Sequence, residues 1–181
     1  HRTVKLVFCA DNEPVSSSRN DRLLVEDAQR ASMLLFLWSI PPGTREDGTF
    51  SEEAFQSWYS TAIQICKESN YMVEAMTALG GVLTYVPEDP SGFWINRAVA
   101  SVLDTELCEA LCSRFIFKKR SSLGVHFVDP TGESERELAN YYSDLAIKTR
   151  EASFFRLAVK LDLLAEHFRR ESKRIHKTSG D

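Results

Sequence analysis

Between Asn20 and Trp38 the apolar side chains Leu24, Ala28, Ala31, Leu35 and Trp38 fall at steps of four and three, the spacing that lines one face of an α-helix. Pro41-Pro42-Gly43 stops that pattern, and Thr44 to Asp47 read as a polar loop. Thr49 or Ser51 is placed to cap a second helix running to about Ser69, with Glu52 three residues after Thr49 as a capping box requires. Its buried stripe is expected at Phe55, Trp58 or Tyr59, Ala62 and Cys66. A third helix, from about Tyr71 to Tyr85, carries Met72, Met76, Leu79, Val82 and Leu83 and contains Gly80-Gly81. Each glycine costs roughly 1 kcal/mol against alanine inside a helix. The pair therefore either admits a close neighbour, the favoured alternative, or breaks the helix.

Pro87 to Gly92 form a turn-rich connection. Phe93 to Leu103 read as a short helix presenting Ile95, Ala98, Val99 and Val102. Asp104 or Thr105 then caps a fifth helix through Leu107, Leu111, Phe115 and Ile116, closed by Lys118-Lys119-Arg120, where the helix dipole favours cations. Ser134 with Glu137 forms a second capping box, opening a helix that buries Leu138, Tyr141 or Tyr142, and Leu145. A last helix from Ser153 keeps Phe154, Leu157, Ala158, Leu161, Leu164, Ala165 and Phe168 in register. Beyond them only Ile175 continues the stripe, and the end is expected to project or fray.

Two stretches alternate instead: Val4, Leu6 and Phe8 within Thr3 to Cys9, and Leu123, Val125 and Phe127. They are expected to pair as one small two-stranded β element, unless the first joins a sheet elsewhere. No fixed repeat period emerges. The expected fold is all-α: an irregular antiparallel bundle or array of about seven helices. Residues 1–19 form an N-terminal extension or strand, 20–177 the helical domain and 178–181 a disordered tail.

Composition narrows the class. At 181 residues, with 43% hydrophobic and 27% charged side chains, the chain has the size of one domain and the make-up of a globular one, which excludes a disordered or collagen-like polymer. Its longest apolar run, Met33 to Trp38, falls far short of the ~20 residues needed to span a bilayer. Residues 1–90 hold 7 Lys/Arg and 13 Asp/Glu, and residues 91–181 hold 15 and 13, so the halves carry -6 and +2. A total of -4 speaks against a dedicated nucleic-acid binder but leaves room for a local basic surface. Cys9, Cys66, Cys108 and Cys112 sit in apolar stretches, as buried thiols of a reducing compartment do, so a cytoplasmic location is expected. The chain opens on His1-Arg2 rather than Met, the mark expected of a fragment of a longer protein.

Each candidate for chemistry has a plainer explanation beside it. Cys108 and Cys112, one helical turn apart, could hold a soft metal with His126 and His167, yet they continue the apolar face of Leu111 and Phe115. His126 could be oriented by Asp129 as a general base, but no nucleophile elbow accompanies it. Gly80-Gly81 lacks the Lys-Ser/Thr of a phosphate loop, so no cofactor and no metal are called for. The basic segments Lys118, Lys119, Arg120 and Arg169, Arg170, Lys173, Arg174, Lys177 suit phosphates if their helix ends meet, whereas Glu166 and Glu171 beside them suit a solvated helix end. Phe93-Trp94 either plug the core or, with Tyr85, anchor a partner protein.

The order Pro41-Pro42-Gly43, Asp47-Gly48-Thr49, Phe55, Trp58, Gly80, Val82-Leu83, Pro87 with Asp89 to Trp94, Gly124-Val125-His126, Glu135 to Ala139 and Leu164-Ala165 resembles a helical C-terminal region of large uncharacterised bacterial proteins. The resemblance covers roughly residues 34–175 and rests on loops and packing positions, so it implies a shared fold and brings no catalytic residue. It also suggests a setting in bacterial defence modules. The expected function is a non-catalytic helical scaffold or protein-interaction domain of a larger cytoplasmic protein, bound to a protein partner or to the rest of its own polypeptide and not to membrane. Two alternatives stand beside it: a nucleic-acid-contacting accessory domain using the basic segments, and an enzyme using His126 and Asp129.

Overall fold

A computed structural model describes residues 33, 37–69, 72–106, 109–121 and 131–178. Among them the fold is all-α, with six α-helices and one 3-10 turn: α1 (Glu52–Ser69), α2 (Met72–Val82) followed by the turn Leu83–Tyr85, α3 (Arg97–Leu103), α4 (Glu109–Ser121), α5 (Glu133–Glu151) and α6 (Phe155–Thr178). The expected pairing of residues 3–9 with 123–128, and most of the helix expected over 20–38, lie outside the described residues. Two compact units divide between Pro87 and Glu88, inside the turn-rich connection.

In the first unit Pro41 to Ser51 fold as a miniature hairpin around an antiparallel bridge from Thr44 to Phe50. Gly43 is required there. Its φ is +91°, and a Cβ on it would stand 2.8 Å from the Phe55 Cβ and from the Ser51 carbonyl oxygen. The hairpin so delivers Ser51 to the start of α1, where its hydroxyl accepts the Ala54 amide at 3.3 Å. The Thr49 amide and hydroxyl both donate to Asp47. Phe55 is completely buried between Phe50 and Tyr59, Cys66 is buried, and Trp58 faces solvent. Helix α2 runs unbroken through Gly80 and Gly81.

The second unit is built on the α5–α6 hairpin. The two helices are antiparallel, as the Arg150–Asp162 ion pair, the 3.0 Å bond from Arg169 to Ser143, and the bond from the Ser172 hydroxyl to the Gly132 carbonyl show along their length. Small residues set their spacing: Ala139 and Ala146 on α5 and Ala158 and Ala165 on α6 are fully buried, with Tyr142 stacked on Phe168 at 5.7 Å and an interplanar angle of 3°. The turn between them is a Schellman closure. The Phe154 amide donates to Thr149 and the Ser153 amide to Arg150, and Ser153 occupies the left-handed position at φ 70° that glycine usually fills.

Two helix starts differ from the sequence expectation. Helix α3 begins at Arg97 rather than Phe93, because Asn96 caps it through the Ala98 amide while the Asp89 carboxylate takes the Arg97 amide at 3.1 Å. Helix α5 begins at Glu133 after Gly132 in the left-handed conformation, which places Ser134 inside the first turn. The start of the helix expected after Asp104 or Thr105 includes residues 107–108, outside the described residues, but the Asp104 carboxylate caps a distant helix as well, accepting the Leu157 amide in the first turn of α6 at 2.9 Å. That bond ties α6 to the end of α3.

Candidate functional site

Phe93 and Trp94 are half-buried and belong to the aromatic layer of the second unit. Phe93 lies 6.0 Å from Phe154, and Trp94 lies 6.4 Å from Phe115. The Trp94 indole N–H donates to the Thr149 hydroxyl at 2.8 Å, and Thr149 in turn donates to the Leu145 carbonyl. This buried chain satisfies every polar atom it uses. Tyr85, with 50% of its surface exposed, lies in the first unit.

The basic segments do meet. Helix α4 runs parallel to α6, joined near its start by the Lys160–Glu109 ion pair and at its end by Arg120, whose guanidinium lies 5.7 Å from the centre of the Phe168 ring. Glu171 stands among cations there: its bond from Arg174, with the charges of Arg174 and Arg120, holds its carboxyl below the usual range. Arg169 and Arg170 share Glu166, and Arg174 pairs with Glu171 at 2.6 Å. Residues 118–120 and 166–177 together hold eight Lys/Arg against two Glu, a formal +6 in a chain whose total is -4. Pairing within the helix therefore trims this positive pole without cancelling it.

Of the metal candidates, Cys112 is buried in the core, and His167 packs edge-on against Phe168. Cys108, His126 and Asp129 lie outside the described residues. Among the described residues no group of three His, Cys, Asp or Glu side chains is placed to hold a metal ion. Burial pushes the Cys66 thiol up, toward the unreactive neutral form. No described helix is long and apolar enough to cross a membrane.

The most distinctive surface was not among the sequence candidates. Phe155, Val159 and Leu163 are 59%, 52% and 57% exposed and stand at i, i+4 and i+8 along α6, directly opposite its buried face. They form one ridge about 12 Å long. Beside it a groove of about 210 Å³ opens between α6 and the α3–α4 corner, walled by buried Leu103 and Cys112 and by Val159, with Arg156 and the Lys160–Glu109 pair at its edge. The signal in the sequence was a second set of apolar residues on α6 at four-residue spacing, offset from the stripe that packs the core. A scan against protein-family models matched none, and searches of curated proteins and of solved structures returned no match.

Proposed function

We propose that the chain is a non-catalytic, helical protein-interaction module whose working surface is the outward face of α6. The observation that supports this most is the ridge of Phe155, Val159 and Leu163, more than half exposed and contiguous with a groove large enough for one apolar side chain. Scattered exposed apolar residues need no explanation, but three aligned on one helix beside a concavity are the form taken by helix-in-groove docking. The resemblance adds that such a module serves a larger bacterial protein, in a defence setting.

A photo-crosslinking residue at position 163, installed in the protein in its native cell, is expected to yield a discrete protein adduct that the same residue at Lys148 does not. Val159→Glu is expected to abolish that adduct while leaving the melting temperature unchanged. No adduct at 163, or equal adducts at both positions, would count against the proposal. A second reading, contact with nucleic acid, is favoured by one observation: Arg120 over Phe168 brings the two basic segments to one end of the hairpin.

A further inference from the structure

Seen along its outward face, α6 changes character at mid-length. The first three turns show Phe155, Val159 and Leu163, and the following turns show Arg170, Lys173 and Arg174, with Glu166 between the two halves. Arg170 and Arg174 keep their side chains 72% and 73% exposed even while paired to Glu166 and Glu171. The apolar half borders the groove beside Val159, and the cationic half belongs to the pole that Arg120 joins from α4.

From this arrangement we infer that the partner is an acidic amphipathic helix lying along α6, its apolar residues over the ridge with one seated in the groove, and its carboxylates over Arg170, Lys173 and Arg174. The inference rests on the interaction reading above and supplies the chemistry of the partner. A second copy of this chain offers no matching row of free carboxylates from the same face, because Asp162 is paired with Arg150, Glu166 with Arg169 and Arg170, and Glu171 with Arg174. A nucleic-acid duplex would leave the apolar ridge unused, and a flat anionic bilayer would leave the groove unfilled. An acidic helix satisfies both halves at once, the ridge supplying most of the affinity and the charges its polarity along α6.

The probes are two synthetic helices of about 20 residues, long enough to cover α6 from Phe155 to Arg174. Both carry leucines at helical spacing in one half; on the same face of the other half, one carries glutamates and the other lysines. Fluorescence anisotropy with the whole chain is expected to show the glutamate helix binding about tenfold or more tightly than the lysine helix. Val159→Glu with Leu163→Glu should abolish binding of both, and reversing Arg170, Lys173 and Arg174 to glutamate should invert the preference. Equal binding of the two helices at the ridge would overturn the acidic partner and leave the interaction reading standing. If neither helix binds, the inference falls, and duplex DNA and phosphatidylserine vesicles, assayed against the same variants, show whether the cationic pole serves another anion. The crosslinking experiment judges the interaction reading separately.

Discussion

The two faces of α6 carry the same kind of side chain and meet opposite fates. Inward, Leu157, Ala158, Leu161 and Ala165 are fully buried against a hairpin partner whose own contact residues, Ala139, Tyr142 and Ala146, are also fully buried. Outward, Phe155, Val159 and Leu163 stay more than half exposed. Leucine at 161 is thus explained by folding, and leucine at 163 is not. Leu161→Ala is expected to cost roughly 2–5 kcal/mol of stability, the range for a buried leucine whose neighbours close in only partly. Leu163→Ala should stay within about 0.5 kcal/mol. Urea unfolding of the two variants measures the contrast directly, and equal costs would break it.

What decides which face looks out is the way α6 is pinned. Asp104, at the end of α3, holds the Leu157 amide at 2.9 Å, and the Lys160–Glu109 pair fixes the next turn against α4. Leu157 is buried and Lys160 flanks the groove, so these two attachments leave the side that includes Val159 to solvent. Asp104→Ala removes a cap and should destabilise by about 1–2 kcal/mol in thermal melts, whereas Asp104→Asn, which keeps an acceptor, should recover most of the loss. An Asn variant no better than Ala would show that the bond itself is not what seats the helix.

The inward face was legible from spacing alone: of the seven residues chosen on periodicity, Leu157, Ala158, Leu161, Leu164, Ala165 and Phe168 are buried, and only Phe154, just ahead of α6, is half-buried. Periodicity reports a phase, and α6 keeps that phase wherever it packs. The outward ridge was hidden because one helix can carry two apolar stripes, and sequence does not say which of them finds a neighbour. Ser51 was legible as the cap of its own helix, whereas a cap made at long range was not. Asp104 caps a helix 53 residues away, and no local pattern such as S-x-x-E announces a bond across that separation. The positive pole was half legible: both basic segments stand out in the sequence, but their meeting depends on α4 and α6 running parallel, a property of topology. Tyr141 and Tyr142, left as alternatives, are separated by a single step around α5 that exposes one and buries the other.

One further effect has the opposite sign and sits at the centre of the inward face. The Tyr142 ring is buried in its stack on Phe168, and its hydroxyl has no hydrogen-bond partner among the described residues. A buried donor without an acceptor costs stability, so Tyr142→Phe, which keeps the ring and removes the oxygen, should stabilise the second unit by about 1 kcal/mol at neutral pH. The same burial raises the phenol to about 12. An unfolded tyrosine ionises near 10, so the folded state resists losing a proton that the unfolded state gives up. The tyrosine's contribution is whole below about pH 10 and is lost as pH climbs toward 12. Melting curves from pH 8 to pH 12 should therefore fall more steeply for the wild type than for Tyr142→Phe. Parallel curves, or a less stable variant at neutral pH, would show that the hydroxyl is solvated or bonded after all, and that the inward face is less dry than its packing implies.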